Sequence, residues 1–298
     1  MPQRLDPTLD VVFKLLFTRD ADSETALLGL VNAVLRPKRP ILGVEVLNPA
    51  IGRHDLDDKD ILLDVRARLA DGSTVDLEMQ ARRHPSFRNR VLYYWARSFG
   101  HALSPGGPYT ALRPALCVVF LGYVEPENER FHAVFRLLEE HDHTLFSDAL
   151  ALHFVQLPLL GRLTEADRRD DAALLRWGRF LAARTDEEAE TTAMDDPAVS
   201  KANAILRRLS AEPDARELAR VRELAQSTRL IYDAGMREEG REEGREEGRL
   251  IERRAAVRGL CEVLGVPVDE ARSAHLEAMD AEALAALLTE LRVNRTWP

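Results

Sequence analysis

The chain has 298 residues, a formal net charge of −9 and a hydrophobic fraction of 45%. That is enough for one large domain with a smaller appendage, or two modest domains, each able to bury a core. The acidic balance argues against nucleic-acid binding by the whole surface and leaves room for a local basic groove. Cys117 lies in the apolar run ALCVVFLG and Cys261 is far away in sequence, which gives no support for a disulfide or zinc framework. The start MPQRLDPTLD has no basic region followed by an apolar one, and no apolar run is long enough to span a bilayer, so a cytoplasmic protein with no membrane association is expected. Only four of the 41 basic residues are lysines, Lys14, Lys38, Lys59 and Lys201, so chemistry that needs lysine has few candidates.

In chain order, residues 23 to 36 (SETALLGLVNAVLR) carry apolar side chains at helical spacing behind the candidate cap Ser23, and Pro37 and Pro40 end the run. ILGVEVLNP reads as a strand, residues 59 to 69 as a second and residues 73 to 81 as a third. Residues 86 to 103 return to helical spacing. Residues 115 to 122 form an apolar run suited to a buried strand, and FHAVFRLL and ALHFVQLPLL suggest two more. After about residue 160 the pattern is helical, with segments DAALLRWGRFLAAR, DPAVSKANAILRRLS and DARELARVRELAQSTRLIYDAG. REEGREEGREEG follows at 237 to 248, and then an Ala/Leu-rich tail of two or three short helices. The expected divisions are therefore 1–160, 161–236, 237–258 and 259–298.

The stretch LLDVRARLADGSTVDLEMQ, residues 62 to 80, carries the densest chemistry. In both of its strands the odd positions are apolar (Val65, Ala67, Leu69; Val75, Leu77, Met79). The even positions are polar (Asp64, Arg66, Arg68; Thr74, Asp76, Glu78, Gln80). The oily faces coincide across an antiparallel pair only when paired residue numbers sum to an even value, so a two-residue Asp71-Gly72 loop fails. A three-residue loop, Ala70-Asp71-Gly72, pairs Leu69 with Ser73 and places Gly72 at the left-handed position. That register sets Arg68 opposite Thr74, Arg66 opposite Asp76, and Asp64 opposite Glu78. Asp76 then has a cross-strand cation, whereas Asp64 and Glu78 face each other with Cβ atoms about 5 Å apart, unfavourable for two unpaired carboxylates. Either a divalent cation sits between them, or the hairpin is an ordinary amphipathic one whose polar face is solvated or whose Asp64 pairs with an arginine.

An acid on one strand and acid-x-(lysine or substitute) on the next, within a helix, three-strand, helix, strand order, resembles the PD-(D/E)XK nuclease superfamily. The finer resemblance is to the Rpn family of recombination-promoting nucleases, the PD-(D/E)XK family transposases. It rests on DVVFKLLF, KDILLDVRARLADGSTVDLEMQ, R-x-x-x-Y-W from Arg90, PYTALRP ahead of a buried strand, and the REEG repeat followed by RL. The resemblance implies an α/β fold with a restriction-endonuclease-like core, a mixed sheet flanked by helices, and an all-helical C-terminal extension. It implies a metal-dependent DNA endonuclease acting in recombination or mobile-element biology, with Mg²⁺ as cofactor and Mn²⁺ or Ca²⁺ as substitutes. By position, Asp64 and Glu78 are the implied metal ligands, with the Met79 carbonyl and Glu24 as further candidates. Gln80 stands where many superfamily members have lysine. Its amide orients water but offers no positive charge. Lys14 is the candidate for a relocated lysine, since Lys59 is odd-numbered and points to the oily side of a regular strand. As alternatives, Lys14 is a surface residue of the first helix and Glu24 a favourable charge at its helix N-terminus.

Arg90, Tyr94 and Arg97 share a helix face, and with Arg82 and Arg83 they are the candidate DNA contacts; the alternative is solubilising charge in a lysine-poor chain. His141-Asp142-His143 reads as a surface loop rather than a metal site. In a helix the REEG repeat stacks Arg237, Arg241, Arg245 and Arg249, and each interior glycine costs about 1 kcal/mol relative to alanine. A solvated linker and a close helix–helix contact are the two resolutions, and self-association as a homodimer through the leucine-rich C-terminal region is expected. The rival to a nuclease is a catalytically weak DNA- or protein-binding assembly module that keeps the fold.

Overall fold

The structure, a computed structural model, describes residues 3–47, 65–103 and 106–298. The chain forms two compact units, Met1–Leu224 and Ala225–Pro298.

The first unit opens with helices α1 (Asp10–Thr18) and α2 (Ala21–Leu35). Asp20, not Ser23, caps α2, accepting from the Ser23 amide at 2.9 Å; Ser23 is fully buried inside the first turn. Strands β1 (Val44–Val46), β2 (Val65–Leu69) and β3 (Thr74–Gln80) precede α3 (Phe87–His101), and β4 (Ala115–Leu121), β5 (His132–Leu138) and β6 (Leu145–Gln156) complete the sheet. Of the stretch expected as a strand, the described residues 41–47 hold three residues of strand, Val44–Val46. β6 stops at Gln156 because the following LPLL turns into a 3₁₀ segment (Leu157–Gly161), where Pro158 has no amide hydrogen to give a ladder.

Among the described residues the sheet has six strands in the order β1-β2-β3-β4-β6-β5. β3 lies antiparallel to β2 and parallel to β4, and β4 is parallel to β6, whereas β1 and β5 are antiparallel outer strands. Each face is covered. The odd positions of β2 and β3, with Val118, Phe120 and Val155, pack under α1 and α2. The opposite face, with Cys117, Val119, Leu121 and Phe154, packs under Phe87 and Val91 of α3.

After the sheet come α4 (Glu165–Asp170), α5 (Ala172–Ala182), α6 (Asp186–Ala193) and α7 (Pro197–Ala211). The expected division at residue 160 is not a break in packing. Trp177, Phe180, Ile205 and Leu206 share one core with Phe13 and Phe17, and the Phe17 and Trp177 rings lie 5.9 Å apart. The short α4 and α6 escape apolar periodicity, but each opens with a capping box, Thr164 with Asp167 and Thr185 with Glu188.

Helix α8 (Pro213–Leu264) runs 52 residues and contains the whole REEG repeat, so that segment is helical rather than an irregular linker. The second unit closes with α9 (Glu270–Ala278) and α10 (Ala281–Asn294). They bury Val257 and Cys261 of α8 against Leu276, Leu284, Leu287 and Leu291.

Candidate active site

The hairpin has the register its alternation demands. Arg68 pairs with Thr74, Ala67 with Val75, Arg66 with Asp76 and Val65 with Leu77. The Leu69 amide donates to the Ser73 carbonyl at 2.8 Å, and Gly72 takes φ 85° in the three-residue loop. Asp64 and Lys59 lie outside the described residues, one and six positions before the first paired residue of β2.

Asp76, Glu78 and Gln80 sit side by side on the face of β3 beneath α3, in parallel register with Cys117, Val119 and Leu121. Asp76 is buried. Arg66 Nε approaches its Oδ1 at 3.4 Å, and the same guanidinium donates through Nη2 to Ser98 Oγ on α3 at 2.6 Å. Burial raises the Asp76 carboxyl above the ordinary carboxylate range, with Arg66 opposing.

Glu78 is the pivot. Its side chain is 13% exposed, and Arg90 Nη2 of α3 donates to its Oε1 at 2.8 Å. Arg90 Nη2 also donates to Gln80 Oε1, and Gln80 Nε2 donates to the Arg82 carbonyl at 2.5 Å, so both ends of that amide are fixed. Burial pushes the Glu78 carboxyl up, Arg90 pulls it down, and the neighbouring Asp76 charge adds to the rise. Among the described residues, Glu78 Oε2, Arg90 Nε and Tyr123 Oη are buried without a hydrogen-bond partner.

Tyr94 is buried rather than presented to solvent, and its hydroxyl is pushed up by burial within reach of the Arg90 and Glu78 charges. Arg82, Arg83 and Arg97 are exposed, the first two where β3 leaves the sheet. Lys14 is nearly fully buried, not a surface lysine; α1 covers the odd-numbered face, opposite Glu78 and Gln80. The Met79 side chain is buried in that odd-face core. Glu24 is exposed at the start of α2, which packs on the odd side, and is not brought to Glu78. His141, Asp142 and His143 are exposed in the turn between β5 and β6, where Asp142 accepts from the Thr144 amide at 2.8 Å.

Two participants are absent from the sequence reading. Asp76 reads there only as the mate of Arg66. Tyr123 extends the period-two pattern of Leu121 past the end of β4, a signal that places it on the Glu78 face. The backbone is tight there. The Gly122 amide donates to the Gln80 carbonyl at 3.0 Å, and a Cβ on Gly122 would meet the Ala81 carbonyl oxygen at 2.6 Å.

Among the described residues no group of three or more His, Cys, Asp or Glu is placed to hold a metal. The donor set nevertheless fits a hard divalent cation. Mg²⁺ takes one or two carboxylates and fills its remaining positions with water and substrate oxygens, and Glu78 Oε2 is a buried carboxylate oxygen with nothing bound to it among the described residues.

A mixed sheet flanked by helices, with acid-x-glutamine on a central strand beneath a helix bearing R-x-x-x-Y-W, is the architecture of a PD-(D/E)XK-type α/β nuclease fold. The family model for the PD-(D/E)XK nuclease family transposase matches residues 7–230, and the chain belongs to that family. No curated protein and no solved structure matches it significantly. Among the described residues no helix is long and apolar enough to cross a membrane.

Proposed function

We propose that the chain is a Mg²⁺-dependent endonuclease that hydrolyses DNA phosphodiester bonds, linked to recombination or mobile-element activity. Family membership supports the nuclease class. The observation that carries the reading is Glu78 itself, a buried carboxylate with an unpartnered oxygen, next to an immobilised glutamine. A divalent cation held by Glu78 and Asp64, with the Met79 carbonyl as a further donor, would supply Lewis-acid activation of water and neutralise charge on the phosphate. Mn²⁺ would substitute in cleavage, and Ca²⁺ in binding.

The chain's own residues do the rest. Gln80, clamped between Arg90 and the Arg82 carbonyl, presents a fixed amide to orient water. Arg90 brings to Gln80 the positive charge that a lysine at this place would have carried, from α3 instead of β3. Exposed Arg82, Arg83 and Arg97 are placed to neutralise backbone phosphates. Lys14, buried on the opposite side of the sheet, acts in this reading through packing and not at the scissile phosphate.

The rival, a catalytically weak assembly module, draws on the same Arg90 contact, because an arginine that neutralises Glu78 makes the site stable without a metal. Supercoiled plasmid cleavage by wild type, Asp64→Ala and Glu78→Gln, with Mg²⁺ and with chelator, separates the two. Cutting that needs the metal and both acids supports the nuclease; DNA binding with no cutting by folded wild type in Mg²⁺ or Mn²⁺ supports the module.

Self-association as a homodimer through the helical C-terminal region is part of the same proposal. It is supported by the exposed apolar side chains Ile231, Tyr232, Met236 and Ile251 on α8.

A further inference from the structure

We propose that Tyr123 is a substrate-contacting residue whose hydroxyl donates a hydrogen bond to a non-bridging phosphate oxygen of the bound strand. The inference rests on the phosphodiester reading of the Glu78 site and adds a residue that neither the family pattern nor the strand motif names.

Tyr123 follows β4, two residues past Leu121, whose parallel partner is Gln80. Period two keeps it on the face that carries Glu78 and Gln80. Its ring packs edge-on against Phe87 at the start of α3, with centroids 6.2 Å apart and planes at 82°, so the side chain is held by an aromatic neighbour and not by its hydroxyl. The hydroxyl oxygen is buried and, among the described residues, makes no hydrogen bond.

That arrangement is costly in the free protein. A buried hydroxyl without a partner has given up its hydrogen bonds to water with nothing in return, and phenylalanine would fill the same space without the penalty. A polar atom kept there at a cost is explained by a partner that arrives with the ligand. Around the hydroxyl stand the charges of Glu125, Arg83, Arg90 and Glu78. Burial, with Glu125 next, pushes its ionisation upward, so at neutral pH the group is an O–H donor. The two guanidinium groups and two carboxylates nearby offset one another, so it is the proton to donate, with no acceptor of its own among the described residues, that calls for an oxygen acceptor. Phosphate oxygens of the strand meet that requirement, and Arg90 Nε, also unpartnered among the described residues, is a second donor of the same kind.

Tyr123→Phe tests this in the full chain. Binding of a short fluorescent DNA duplex is measured by anisotropy in Ca²⁺, plasmid cleavage in Mg²⁺, and stability by thermal unfolding. The expected result is DNA affinity weakened about tenfold, the loss of one hydrogen bond to a charged group, with KM rising by a similar factor and kcat little changed. The thermal midpoint stays equal or rises, because an unsatisfied buried hydroxyl has been removed. A structural tyrosine would show the reverse, a lower midpoint with unchanged affinity, and that outcome overturns the proposal. Wild type that binds DNA without cutting it sinks the nuclease reading while the affinity comparison still decides Tyr123. Wild type that binds no DNA overturns both.

Discussion

Arg90 on α3 holds Glu78 on β3, with Nη2 donating to Oε1 at 2.8 Å, and the same nitrogen reaches the Gln80 amide oxygen. One guanidinium thereby opposes the burial that raises the Glu78 carboxyl and fixes the glutamine beside it. Removing it has a signed consequence. Burial already raises the Glu78 carboxyl, and Arg90 is the group that lowers it. In Arg90→Met the carboxylate therefore forms only at higher pH. Cleavage that needs ionised Glu78 falls at neutral pH and recovers as pH rises, moving the acid limb of the pH–rate profile upward. Arg90→Lys retains the charge but not a planar fork, so it restores the limb better than it restores kcat. A profile unchanged in Arg90→Met would remove Arg90 from the site's electrostatics.

Gly122 is the place where the two central strands leave almost no room. A Cβ there would lie 2.6 Å from the Ala81 carbonyl oxygen and 3.0 Å from Ala81 Cα, both backbone atoms that cannot swing aside. Gly122→Ala is expected to cost about 1–3 kcal/mol in unfolding free energy, by overpacking. It also displaces the Gln80 carbonyl that the Gly122 amide holds at 3.0 Å. Denaturant melts and cleavage rates should fall together; loss of stability with full specific activity would show that the strand end is not coupled to the site.

His132 and His153 form a buried chain with Asp171. His132 Nδ1 lies 2.8 Å from Asp171 Oδ1, and His132 Nε2 lies 3.0 Å from His153 Nδ1. Burial pushes His153 down to about 3 from an ordinary 6.5, with His132, Arg136 and Arg36 adding in the same direction. Between those values the unfolded chain binds a proton that the folded chain refuses, so stability rises with pH. It is fully present above about 6.5 and is lost as pH falls toward 3, at up to about 1.4 kcal/mol per pH unit. Thermal unfolding of wild type from pH 7 to pH 5 should show this loss, and His153→Gln, which cannot titrate, should show a flatter dependence. Equal slopes would remove His153 as the cause.

The hairpin was legible because its period of two leaves one register that buries both oily faces, and the observed pairs from Val65–Leu77 to Arg68–Thr74 obey it. The long helices were legible for the same kind of reason, through apolar spacing. Sequence spacing does not say which side of a helix meets which sheet face. Arg90 and Tyr94 therefore read as a phosphate-facing stripe, although Arg90 turns inward onto Glu78 and Tyr94 is buried, and Lys14 reads as a relocated lysine or a surface residue although it is buried under the other face of the sheet. The buried His132–His153 pair joins strands through a register that no local pattern announces. That helices after residue 160 pack on a core laid down before it is a long-range fact that local spacing does not carry.

The REEG segment of α8 sets a test in which helix propensity and pairing have opposite signs. Within the second unit a Cβ added at Gly240, Gly244 or Gly248 meets nothing within 4 Å, so intrachain packing gives these glycines no role. If the segment acts alone, replacing all three with alanine raises helix stability by about 1 kcal/mol at each position and leaves the oligomeric state unchanged. Under the proposed homodimer the glycines let a second copy approach, and the methyl groups stand in its way. The pattern also orients that copy. At about 100° per residue the glycine row lies between the row of Arg237, Arg241 and Arg245 and that of Glu239, Glu243 and Glu247. Two parallel helices facing through glycine set arginine against glutamate on both flanks, whereas antiparallel ones set like against like. The triple alanine variant is expected to shift sedimentation from dimer toward monomer despite a more helical circular-dichroism spectrum. Gly240→Cys and Gly248→Cys, each made alone, are each expected to cross-link to themselves on mild oxidation. A cross-link only when the two variants are mixed would make the pairing antiparallel, and a monomeric wild type would end the homodimer reading.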